Sequence, residues 1–153
     1  MSDKVPSEEE CMELLKRYNV PENIVEHSIK VKEVALKIAR ALKEKGVNVD
    51  EKLIVAASLL HDLDKAETVG ENINMHGKKA SEELKKLGMP TVAEIVRKHV
   101  LEAILNGELK TLEEKIVYYA DKRVLGSKVV SLKERFDYLK ERYGLKNLSL
   151  IHI

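Results

Sequence analysis

Apolar residues in this chain recur mostly at spacings of three and four, the period of one face of an α-helix. The clearest run lies between Pro21 and Gly46, where Ile24, Val31, Val34 and Ile38 share one stripe with His27. Alternating β-branched runs are scarce, and Phe136 and five tyrosines are the only aromatics. That leaves little material for a sheet. The expected fold is all-α, a compact bundle of six to seven helices. At 153 residues the chain suits one domain, 1–153, and is short for two.

Breaks in the pattern divide the helices. Ser7 with Glu10 reads as a capping box that starts the first helix. Asn19-Val20-Pro21 ends it, and Pro21 suits the first turn of a second helix running to Gly46. Asp50 caps a third through Ile54, Ala57, Leu60 and His61, ending around Asp64 or Lys65. Residues 66–74 are mainly polar and read as a loop. A fourth helix runs from near His76 to Gly88, and a fifth opens at Pro90-Thr91 and carries Ile95, Val96 and His99 as far as Asn106-Gly107. Thr111 with Glu114 forms a second capping box, ahead of Ile116, Val117, Ala120, Asp121 and Val124. The segment from Gly126 to Val130 reads as a loop, and a last helix spans about Leu132 to Tyr143. The apolar tail 148–153, which contains His152, reads as a packing or subunit contact, so a homodimer through it is expected.

Charge excludes several classes of partner. Lys and Arg total 27 against 26 Asp and Glu, a formal net charge of +1. No overall positive field exists to hold a nucleic acid or an anionic membrane, and no stable nucleic-acid partner is expected. No apolar run approaches the length of a membrane span. The first twenty residues carry acids where a secretory leader carries bases, and a cytoplasmic location is expected. Cys11 is the single cysteine, which excludes an internal disulfide and any multi-cysteine metal site. Tryptophan and glutamine are absent while Glu and Lys abound, a composition like that of heat-tolerant proteins.

The chemistry lies in the histidines and aspartates. In Leu59-Leu60-His61-Asp62-Leu63-Asp64-Lys65 an imidazole and a carboxylate adjoin at the end of an apolar helix. Successive helical side chains diverge by about 100°, so both reach one ion only if the helix faces a cavity or loosens there. His27, His99 and Asp121 lie on or beside the apolar stripes of their own helices, and His76 sits at a helix start. One inward histidine is more often a satisfied core residue than a ligand. Several together need partners or a metal, and imidazoles with aspartates suit transition ions better than an all-oxygen calcium or magnesium site.

These ordered residues resemble the HD superfamily of metal-dependent phosphohydrolases over about 22–126, with 131–153 as a C-terminal helix and tail. His27 is similar to the family's first histidine, His61-Asp62 to its defining doublet, and Asp121 in Tyr119-Ala120-Asp121-Lys122-Arg123 to its final aspartate. His76-Gly77 and His99 are similar to the further histidines of members that hold two metals. His61-Asp62-Leu63-Asp64-Lys65 resembles the common His-Asp-Ile-Gly-Lys form. Two positions depart. Asp64 replaces that glycine, and Val100 follows His99 where many two-metal members have a second histidine. The departures point away from cyclic dinucleotide phosphodiesterases and toward small nucleotide hydrolases, among them groups that cleave dinucleoside tetraphosphates or nucleoside monophosphates.

The resemblance implies hydrolysis of a phosphate ester or anhydride of a nucleotide, or a related small molecule, by metal-bound hydroxide. It implies one metal on His27, His61, Asp62 and Asp121, with Asp62 bridging to a second on His76 and His99. Fe, Mn, Co, Ni or Zn are the candidates, with Mg an alternative at one position. Asp62 and Lys65 are the expected catalytic residues. Lys65, Lys122 and Arg123 are the expected phosphate contacts, with Lys78 and Lys79 behind them. Cys11, Met75 and Met89 read as packing. The alternative function is an inactive metal- and nucleotide-binding regulatory domain, with a purely structural helical protein a third.

Overall fold

The structure, a computed structural model, describes residues 4–64, 78–99, 106–131 and 133–134. Among them are six helices and one short hairpin. Lys65, His76, Val100, the segment 66–74, the helix expected over 132–143 apart from residues 133–134, and the tail with His152 lie outside the described residues.

Local chemistry fixes the helix starts. α1 (Glu8–Arg17) opens with the expected capping box: Ser7 Oγ accepts from Glu10 N at 3.1 Å, and Glu10 Oε1 accepts from Ser7 N at 3.1 Å. Acids fill its first turn, and Lys16 and Arg17 its last, matching the helix dipole. The chain turns sharply at Asn19, with φ +55°. α2 (Glu22–Glu44) follows, with Pro21 at the N-cap. Its 23 residues make a rod about 35 Å long. α3 (Glu51–Leu60) is capped by Asp50, whose Oδ1 accepts from Leu53 N at 3.1 Å.

α3 is the axis of the fold. Leu53, Ile54, Ala56, Ala57, Ser58, Leu59 and Leu60 are all buried, and a helix apolar on every side must be wrapped by others. α1, α2, α5 (Pro90–Arg97) and α6 (Leu112–Lys122) pack on it, while α4 (Lys78–Lys86) packs on α5. The first core joins Cys11 and Leu15 of α1, Leu59 and Leu60 of α3, Leu84 of α4, and Val92 and Val96 of α5. The second joins Val31, Ala35 and Ala39 of α2 to Ile54, Ala120 and Val124. The alanines let backbones approach closely, and each buried Val, Leu or Ile adds about 1.5–3 kcal/mol.

Three details differ from the sequence expectation. α5 ends at Arg97, with Lys98 as its C-cap, so His99 follows the helix rather than lying within it. α3 stops at Leu60, with His61 as its C-cap and a turn through Asp64. The helix therefore loosens at the His-Asp doublet. The stretch after α6 is a hairpin rather than plain loop: β1 (Val124–Leu125) pairs antiparallel with β2 (Lys128–Val129), in register Val124↔Val129 and Leu125↔Lys128. Gly126 supplies the positive φ of +64° that such a tight turn needs. No helix among the described residues is long and apolar enough to cross a membrane.

Candidate metal centre

Four elements deliver the site. His27 comes from the second turn of α2, His61 and Asp62 from the end of α3, His99 from just beyond α5, and Asp121 from the last turn of α6. The inward stripe of α2 explains His27, and the turn after Leu60 lets His61 and Asp62 face the same point.

Backbone carbonyls fix the histidine orientations. His27 Nδ1 donates to Gly126 O at 2.7 Å, His61 Nδ1 to Ser58 O at 2.6 Å, and His99 Nδ1 to Val96 O at 2.5 Å. A carbonyl only accepts, so each Nδ1 donates a proton to it, and each ring turns its Nε2 inward, the atom left to meet a proton or a metal. Such outer partners set ring angle and tautomer in metal-binding histidines.

The inward atoms converge. The ligand atoms of His27, His61 and Asp121 lie within 4.8 Å of one another. Asp121 Oδ1 stands 2.9 Å from His27 Nε2 and 3.3 Å from His61 Nε2. Asp62 Oδ2 is 3.3 Å from His61 Nε2 and 3.8 Å from His27 Nε2, while its Oδ1 is 3.5 Å from His99 Nε2. His61 is fully buried, and its Nε2 has no hydrogen-bond partner. An imidazole nitrogen left so between two carboxylates fits a cation better than an apolar core. The donor set is nitrogen and carboxylate oxygen, suited to a divalent transition ion.

The electrostatics agree. Burial works against charge on His61, yet the Asp62 and Asp121 carboxylates outweigh it and hold the imidazole well above its ordinary range. Burial likewise opposes ionisation of Asp121, but the Lys122 charge and the histidines hold its carboxyl well below the usual range. With no ion bound both groups favour their charged forms; the negative field that holds a proton on His61 is the one that favours a cation, which must displace that proton to bind.

The remaining expected residues sit as follows. Lys122 is buried, with Nζ 3.1 Å from Asp121 Oδ2 and 4.5 Å from the Tyr118 ring centre. Arg123 clamps the hairpin base: Nε donates to Val130 O at 2.5 Å and a terminal nitrogen donates to Tyr119 Oη at 3.0 Å. Lys78 is exposed on α4 and Lys79 partly so. Asp64 is buried, and its Oδ2 accepts from Ala80 N at 3.1 Å in the first turn of α4. Thus the residue in place of the expected glycine pins a neighbouring helix to the site. Cys11 and Met89 pack in the first core; Met75 lies outside the described residues.

Sequence reasoning passed over Gly126, whose carbonyl orients His27, and the buried Lys98–Glu114 pair at 2.9 Å. A two-residue Gly-Ser turn between Val124-Leu125 and Lys128-Val129 was the available signal for the first.

A family model of the HD domain matches residues 24–124. An uncharacterised protein of Methanocaldococcus jannaschii is 33% identical over 95% of this chain and 91% of its own length. A tRNA (cytidine(56)-2'-O)-methyltransferase of Picrophilus torridus is 31% identical, and one of Thermoplasma volcanium 30% identical, each over 94% of this chain. The chain spans 42% and 44% of those two methyltransferases. No solved structure matches it.

Proposed function

The chain belongs to the HD-domain family, and from that premise we propose that it is a metal-dependent phosphohydrolase acting on a nucleotide or a related small phosphate compound. The observation that carries the proposal is the shared orientation of His27, His61 and His99. Each is locked through Nδ1 to a carbonyl, with Nε2 aimed at the Asp62 and Asp121 oxygens.

His27, His61, Asp62 and Asp121 are the proposed ligands of one ion, and Asp62, His76 and His99 those of a second. A divalent cation in such a site supplies Lewis-acid activation of water and polarisation of a phosphate oxygen. Asp62 orients the site by dividing its two oxygens between His61 and His99. Carbonyl bonds at Nδ1 prevent the rings from rotating toward substrate oxygens. Burial of His61, Asp62 and Asp121 keeps bulk water from weakening these fields. Lys65 is the proposed phosphate contact and proton donor to the leaving oxygen through Nζ, with Arg123 as a further phosphate contact. The single-domain extent 1–153, the cytoplasmic setting and a homodimer through 148–153 belong to the same proposal.

A second reading is favoured by the methyltransferase relatives. Both are named for a tRNA modification, and this chain spans under half of each. An HD domain that binds metal and nucleotide as an accessory to RNA modification, without turnover, fits that juxtaposition.

One experiment separates the readings. The protein, loaded in turn with Mn, Co, Ni, Fe or Zn and assayed for metal content, is offered mononucleotides, dinucleoside polyphosphates, cyclic nucleotides and tRNA. Phosphate release or a cleaved anhydride establishes the hydrolase. Binding without turnover across the panel favours the accessory reading, and no metal in any preparation defeats both.

A further inference from the structure

Lys122 occupies a place that a surface lysine does not. Its side chain is about nine-tenths buried, as is that of Asp121. Nζ donates to Asp121 Oδ2 at 3.1 Å, reaches His99 O at 3.5 Å and stands 4.5 Å over the Tyr118 ring. An ammonium has three N–H groups, and these three neighbours account for them. Little donor capacity is left for a phosphate. The other Asp121 oxygen, Oδ1, faces His27 and His61.

We propose that Lys122 is a positioning residue of the metal centre, engaging Asp121 Oδ2 so that Oδ1 alone is offered to the ion. The inference rests on the metal-binding reading of the cluster. It assigns the lysine a role toward the ligand rather than toward substrate. A free aspartate can present either or both oxygens to a cation, and its carboxyl plane rotates easily. With Oδ2 tied to a buried ammonium, which is itself braced on the His99 carbonyl and the Tyr118 face, the plane is fixed. Through His99 O the same lysine also joins the Asp121 side of the centre to the His99 side.

The sign of one measurement distinguishes this role from simple proximity. A lysine acting only through its charge repels a cation, so its removal tightens metal binding. Removing a partner that orients a ligand typically weakens affinity by 10–100-fold.

The test is Co(II) titration of the full chain, stripped of metal, as wild type, Lys122→Met and Lys122→Arg. Visible absorption is followed, and a thermal melt of each stripped protein checks folding. Lys122→Gln replaces the Met variant should that fail to fold. The expected result is Co(II) affinity lower by about tenfold or more in Lys122→Met, a visible band changed in position or intensity, and substantial rescue of both by Lys122→Arg. Affinity equal to or tighter than wild type overturns the inference, as does weaker binding with an unchanged band or without rescue. If the wild type itself takes up no Co(II), the metal-binding reading fails and this inference falls with it. A wild type that binds normally beside a variant that binds as well sinks only the role of Lys122.

Discussion

Asp62 reaches His99 across the site, its Oδ1 standing 3.5 Å from the ring Nε2. The same carboxylate places Oδ2 3.3 Å from His61 Nε2. One short side chain therefore joins the end of α3 to the end of α5. A carboxylate can bridge only when its oxygens meet different partners, and here Asp62 does so from the turn that follows Leu60, closed by Leu63 N on Leu60 O at 3.1 Å. His27 and Asp121 complete the His61 side, while His99 faces the other.

Replacing Asp62 should therefore damage both sides at once. Asp62→Ala is expected to lower metal affinity by at least about tenfold and to abolish turnover of any substrate found in the nucleotide panel. Metal analysis of the purified variant, beside wild type from the same medium, checks this. Equal metal content with only a lower melting temperature would reduce Asp62 to a structural role.

Metal uptake should depend on pH through His61. The Asp62 and Asp121 charges overcome the effect of burial and raise its pKa, so protons compete with metal to higher pH than at an ordinary histidine. Affinity is expected to fall as pH is lowered, beginning above the ordinary histidine range and continuing through it, with protons released on binding. Calorimetry in two buffers of different ionisation enthalpy reads both effects. For folding of the stripped protein, the raised pKa contributes stability below the unfolded histidine pKa, lost as pH climbs through the folded value. A flat affinity over that range contradicts the prediction.

How far the sequence foretold this site depends on which atoms were involved. His27, His61, Asp62, His99 and Asp121 were legible because helical spacing placed them on inward stripes or at their ends. Both capping boxes were legible because they span only three residues. The acceptors that orient the rings, Gly126 O, Ser58 O and Val96 O, are backbone atoms with no residue signature. The hairpin was read as loop because two-residue strands leave no periodicity to detect. Asp64 was placed near the site, but its bond to Ala80 depends on how α4 docks, a tertiary fact. Lys122 was marked by its position beside Asp121, but its burial and its bond to Asp121 Oδ2 are tertiary facts that spacing does not show.

The buried Lys98–Glu114 pair should set part of the acid stability. Lys98 Nζ donates to Glu114 Oε2 at 2.9 Å, and Glu114 Oε1 accepts from Lys110 N and Thr111 N. Burial would raise the Glu114 pKa, but Lys98 and the two N–H groups overcome it and lower the value. A lowered carboxyl pKa contributes stability above the unfolded value, and that contribution fades as pH falls through the folded one. Lys98→Met is expected to cost about 3 kcal/mol at neutral pH by leaving a buried carboxylate unpaired. Adding Glu114→Gln should restore part of it and flatten the acid limb of the stability curve. Urea melts between about pH 7 and 3 make the comparison, and an unchanged single variant refutes it.

Asp64 should act as a tertiary cap. Its Oδ2 bonds to Ala80 N in the first turn of α4, where an N–H has no helical partner and negative charge is favoured. Asp64→Ala is expected to lower stability by about 1 kcal/mol, with Asp64→Asn losing less. Amide exchange at Ala80 should quicken in the alanine variant. Protection unchanged there would mean that the bond holds nothing in place.

Cys11 gives a probe of global opening that leaves the metal centre alone. It is fully buried in the first core, where α1 packs on α3, and burial, with smaller effects from Glu10 and Glu8, pushes its thiol up to about 12. The reactive species is the thiolate, so the folded protein should resist alkylation at neutral pH by both access and ionisation. Labelling is expected to track unfolding, with a rate that slows when saturating metal stabilises the native state. At a metal concentration of 100 times the dissociation constant, that stabilisation is about 2.7 kcal/mol, a factor of about a hundred in the unfolded population. Rapid labelling of native protein by a small maleimide, unaffected by metal, would show instead that α1 opens independently of the site.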